Sequence, residues 1–162
     1  MRVRRAAVVC SLLVLGCGTP PGVLRTDVQS YLERARSWAP VEAETARTLE
    51  RILATEFVDE AEVRHQIADD RPRILAHLER IRAYQPRTEA VRRIHTAYVA
   101  AWQELLGGYD AIDRGFASGD YTQLAQGREK MAVWKEAILS TARDLRELSQ
   151  RVGVSPEGAT RT

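Results

Sequence analysis

Leu124, Met131, Ile138, Leu145 and Val152 recur at steps of seven, with Trp134 and Leu148 between them. Two turns of a helix bring a side chain back to nearly the same face, so a seven-residue apolar line marks a helix packed lengthwise against others at a shallow angle. The same spacing runs through Val91, Tyr98, Leu105 and Ile112, with Ile94 and Ala101 three residues after the first two. Earlier stretches carry a looser helical stripe: Val28, Leu32 and Ala35, then Ala46, Leu49, Leu53 and Phe57, and later Val63, Ile67, Ile74, Leu78 and Ile81. No run alternates apolar and polar residues between hairpin turns, so strands are not expected.

Punctuation divides these stripes. Thr26 or Asp27 can cap the first helix, Asp59 the second and Asp120 the fourth, each offering a side-chain oxygen to the first free N–H groups. Gln85-Pro86-Arg87-Thr88 and Ala117-Ser-Gly-Asp-Tyr121 read as turns between helices. Pro40 is expected to break or kink the first helix, because proline removes a backbone donor and crowds the preceding turn. Asp70 and Pro72 are expected to restart the second, as cap and first-turn proline. Gly107-Gly108 weakens the third by about 2 kcal/mol relative to alanine, yet the seven-residue register continues through it, so that helix is expected to be continuous. The fold expected is all-α, an up-down antiparallel bundle of four long helices, with a three-helix bundle as the alternative should Pro40 break the first. Residues 26–152 form the bundle on this reading and residues 153–162 a flexible tail.

The beginning of the chain is of another kind. Arg2, Arg4 and Arg5 precede an uncharged apolar run from Ala6 to Gly16, and Cys17 follows. Eleven helical residues span about 17 Å, short of a hydrocarbon core of about 30 Å, which favours a cleaved export signal over a permanent span. Leu13-Val14-Leu15-Gly16-Cys17 resembles the lipobox of bacterial lipoproteins. That resemblance covers residues 1–17 only and implies removal of residues 1–16, lipidation of Cys17 and anchorage in the cell envelope. Leu15 is bulkier than the residue usual at its place, and Gly18 resembles the outer-membrane rather than the inner-membrane class. Residues 17–25, with Pro20-Pro21, would then be the lipidated cysteine and a short tether.

Removal of that leader changes the electrostatics. The whole chain carries a formal charge of +2, but without the three leader arginines 21 basic side chains face 22 acidic ones. A nucleic-acid partner is therefore not expected. Cys10 would leave with the leader and Cys17 would be acylated, so no thiol remains for a disulfide, a metal or a nucleophile.

Candidate sites are few. Glu62 and His65, with Asp69 one turn on, form one Glu-x-x-His on a charged helix. Di-iron bundles need two such motifs and two further Glu, and neither His77 nor His95 completes a second, so no metal and no other cofactor is expected. No serine-hydrolase motif, phosphate loop or haem-attachment motif occurs, and no catalytic residue is nominated. Three Trp and five Tyr could build a ligand pocket, but Tyr98, Trp134 and Trp102 fall near the apolar stripes, so core packing is the expected role. Charge is segregated: residues 56–70 hold six acids against Arg64, and residues 71–93 hold seven arginines against Glu79 and Glu89. The direct reading is interhelical pairing at solvated faces. The functional reading uses the up-down topology, which puts the turn near Pro86 on the tethered side. There Arg82, Arg87, Arg92 and Arg93 could meet anionic headgroups. The expected protein is a non-catalytic, lipid-anchored interaction or structural module, partnered by the membrane, by another envelope protein or by itself. A ligand- or metal-binding bundle is the alternative.

Overall fold

The computed structural model describes residues 20–54 and 59–155. Cys17, the leader, Phe57 and the last seven residues lie outside them. Four helices follow in order: α1 (Pro21–Ala54), α2 (Glu60–Ala83), α3 (Glu89–Ser118) and α4 (Tyr121–Arg151). Each packs on its neighbours around a ring, α1 on α2, α2 on α3, α3 on α4 and α4 on α1, and α1 also reaches across to α3. The chain is an all-α four-helix bundle, with no strand among the described residues.

Local chemistry accounts for most of the boundaries. The Asp59 carboxylate accepts from the N–H groups of Ala61 (2.9 Å) and Glu62 (3.3 Å) at the start of α2. Asp120 does the same for Thr122 (2.9 Å) and Gln123 (3.4 Å) at the start of α4, which holds its carboxyl below the usual range. Between α3 and α4, Gly119 takes a left-handed φ of 69° that closes the helix end. Arg128 of α4 donates to the carbonyls of Ile52 and Leu53, giving partners to the last turn of α1.

Four expectations need correction. α1 begins at Pro21 rather than near Thr26, since proline suits a first helical position; the tether expected over residues 17–25 therefore ends earlier. Thr26 instead donates from its hydroxyl to the Gly22 carbonyl inside the helix. α1 also runs unbroken past Pro40, so the three-helix alternative falls away. Pro40 is exposed, while Val28, Tyr31, Leu32, Trp38, Thr45, Leu49 and Ile52 keep one buried stripe on both sides of it. Burial of that stripe outweighs the one donor that proline removes. α2 likewise passes through Pro72, and Asp70 is a buried partner within it rather than a cap. At the other end Val154 is buried and its N–H bonds the Ser149 carbonyl at 2.8 Å, so the ordered chain extends two residues past the expected start of the tail.

The predicted stripes supply the core. Ile67, Ile74, Ile81, Val91, Leu105 and Met131 are almost fully buried, and Trp102 and Trp134 meet edge to face with centroids 5.0 Å apart. α3 continues through Gly107-Gly108. A Cβ on Gly108 would stand 3.1 Å from the Gly127 carbonyl oxygen, and one on Gly127 would stand 2.7 Å from Ile112 Cγ1. Glycine at these positions lets the two backbones touch.

Candidate functional site

Three places in the bundle concentrate chemistry: a buried polar belt across its middle, a second polar cluster farther along, and the end formed by the start of α1 and the α2–α3 turn.

The belt begins with His77 on α2 and His95 on α3, both buried on the apolar stripes of their helices. His77 Nε2 lies 3.1 Å from the Tyr98 hydroxyl, which donates to Glu42 Oε1 of α1 at 2.6 Å. His95 Nδ1 lies 3.3 Å from the Tyr31 hydroxyl. Trp38 stacks on Tyr98 with centroids 5.4 Å apart and meets Tyr31 edge to face at 5.6 Å. Burial lowers the affinity of both imidazoles for a proton, and that of His77 falls to about 4, helped by nearby Arg80. Burial also raises the Glu42 carboxyl, against the bond from Tyr98. These groups are neutral or singly paired and hold α1 against α2 and α3. A cleft of about 90 Å³ beside Tyr31, Glu42, Tyr98 and Ile138 reaches the belt from the α1–α4 side.

A second polar cluster lies farther along. Asp70, almost fully buried, accepts from the Tyr109 hydroxyl at 2.7 Å and pairs with Arg73, which also meets Glu44 at 2.7 Å. Arg71 bridges Asp110 (2.5 Å) and Asp113 (2.6 Å) on α3. Part of the segregated charge is thus spent in pairs between helices.

The end of the bundle is organised by Asp27. Its Oδ1 accepts from the Arg87 N–H at 3.2 Å, and its Oδ2 accepts from the Thr88 N–H at 2.8 Å and the Thr88 hydroxyl at 2.7 Å. The residue expected as a possible cap of its own helix instead fixes the turn that starts α3, where Thr88 is the N-cap. The start of α1 and the α2–α3 turn therefore share one end. Arg82, Arg87, Arg92 and Arg93 are exposed there. Arg92 pairs with Glu89 at 2.6 Å, whereas the guanidinium groups of Arg82, Arg87 and Arg93 form no ion pair among the described residues.

Glu62, His65 and Asp69 come together only in part. His65 Nδ1 lies 3.6 Å from Asp69 on an open face of α2, and Glu62 accepts from Gln66 at 2.5 Å. Among the described residues no three His, Cys, Asp or Glu side chains form a group able to hold a metal ion. No described helix is long and apolar enough to cross a membrane.

Neither the tertiary bridge of Asp27 nor the pairing of two buried histidines was expected from the sequence. A signal for the latter was present: His77 lies between Ile74 and Ile81, and His95 beside Ile94, at stripe spacing. Comparison with protein-family models, with curated proteins and with solved structures finds no match.

Proposed function

We propose that this chain is a lipid-anchored protein of the cell envelope, held through Cys17, whose helical bundle acts as a non-catalytic interaction or structural module with its arginine-bearing end toward the membrane. The observation that carries the reading is the Asp27 bridge, which keeps the exposed arginines of the α2–α3 turn beside the start of α1. From Cys17 to Pro21, a fully extended chain reaches at most about 14 Å. An anchor at Cys17 would hold that end close to the headgroups, where each arginine near an anionic surface contributes about 1 kcal/mol. The apolar run ending in Gly16-Cys17 supports the anchor itself. The outer membrane is the favoured location in a two-membrane cell, on Gly18. Another envelope protein, or a second copy of the chain, would meet the remaining surface.

Mass spectrometry of the N-terminal peptide tests the anchor. The expected product starts at Cys17 and carries acyl chains, and Cys17→Ser is expected to leave the membrane fraction. An unmodified cysteine in membrane-associated protein would refute it. Replacing Arg82, Arg87, Arg92 and Arg93 by Gln is expected to weaken partition of the unlipidated protein onto anionic vesicles by about tenfold or more. Equal partition would remove the headgroup contact from the reading.

A further inference from the structure

We propose that the groove between α1 and the end of α2 is a phosphate-binding site, built on Arg34, Arg80 and Tyr84 and taking a phosphate group from a lipid or from solution. Two depressions of about 410 and 440 Å³ run together here and share Arg34, Ser37 and Tyr84. Arg34 enters from α1, Arg80 from the last turn of α2, and Arg87 from the turn beyond. Neither Arg34 nor Arg87 has an ion-pair partner among the described residues, and Arg80 has only a 3.5 Å approach to His77 Nδ1.

The two halves of the groove differ in charge. Asp27 and Glu33 line the first, with both Asp27 oxygens already accepting from the turn. No carboxylate lines the second, where Arg34 and Arg80 flank Trp38, Ala83 and Tyr84. Two guanidinium groups without a carboxylate between them suit a compact oxyanion, because each presents N–H groups in a fork that matches its oxygens.

Tyr84 adds a neutral donor. Its hydroxyl makes no hydrogen bond among the described residues, and its ring is braced by Tyr31, Trp38 and His95 at 5.6–6.0 Å. Burial, then Asp27, raises its phenol while Arg34 and Arg87 pull it back, so the hydroxyl keeps its proton at neutral pH and can donate. The apolar floor of Trp38 and Ala83 suits whatever carries the phosphate. This set shares only Arg87 with the arginines assigned above to the membrane surface, and the site does not require the anchor.

The test titrates the full chain with inorganic phosphate at an ionic strength held constant with sodium chloride, followed by amide NMR. Saturable shifts are expected around residues 30–37 and 80–87. Arg34→Gln with Arg80→Gln, both exposed positions, is expected to weaken binding about tenfold or more with unchanged circular dichroism. A linear, unsaturable response, or equal affinity in the double variant, overturns the proposal. Arg82→Gln, Arg92→Gln and Arg93→Gln together are expected to leave the phosphate titration intact, and its loss there would overturn the location. Vesicles of phosphatidylcholine with phosphatidic acid separate the sources. Protein bound to them and displaced by inorganic phosphate assigns a lipid phosphate. Absence of vesicle binding with the titration intact assigns free phosphate and defeats the headgroup contact alone.

Discussion

The α3–α4 pair and the docking of α1 are two different ways of holding helices together. Along α3 and α4 the backbones nearly touch: a Cβ on Gly115 would stand 2.9 Å from the Leu124 nitrogen, and one on Gly127 would stand 2.8 Å from the Gly108 carbonyl oxygen. Such an interface is joined by a short turn and depends on shape, which changes little with pH. α1 is held instead by side chains that end in polar atoms. Trp38 and Tyr31 pack among rings, Glu42 receives the Tyr98 hydroxyl, and Asp27 receives the α2–α3 turn. That contact depends on which groups carry protons. One half of the bundle is thus specified sterically and the other chemically.

The largest effect should come from spoiling the steric half. Gly127→Val places a branched side chain where even a Cβ is 2.7 Å from Ile112, and should destabilise the protein by about 3 kcal/mol or more in urea unfolding. A loss below about 1 kcal/mol would mean that α3 and α4 separate easily and that the contrast is wrong.

Acid should strike the chemical half. An unfolded His77 takes up a proton near pH 6.5, whereas in the folded protein burial, then Arg80, delays uptake to about pH 4. Between those values the unfolded chain binds more protons, so stability is full above about pH 6.5 and declines as pH falls toward 4, by at most about 3 kcal/mol. His95, also lowered by burial, acts in the same direction. Hydrogen exchange should show α1 losing protection before α3 and α4. Uniform loss across all four helices would erase the distinction.

The smallest effect sharpens the steric half by sparing it. A Cβ on Gly107 would meet only the flexible end of Lys130, at 3.4 Å. Gly107→Ala should therefore stabilise the protein by about 1 kcal/mol through helix propensity alone, visible as a raised Tm. Destabilisation would show that the close approach extends one residue farther along α3 than its geometry indicates.

The pattern of helices was legible because it is local. Asp59 and Asp120 cap the helices expected of them, and the turn at Ala117-Ser-Gly-Asp-Tyr121 lies where its residues place it. Even the continuity of α3 through Gly107-Gly108 followed from the register. Pro40, Asp27 and Asp70 misled the same reasoning. Each is a residue whose local preference is to break or cap, and each is overruled by partners 39 to 61 residues away or by a stripe buried against other helices.

The seven-residue seams therefore determined, without help, that this chain makes long helices packed lengthwise, because periodicity alone fixes which face must leave water. Tertiary structure decided what the polar residues on those helices do. Asp27 ties two helices at one end, His77 and His95 enter the core uncharged, and Arg34 and Arg80 face one groove. Such roles depend on which helix arrives opposite, and no local rule of spacing contains that information.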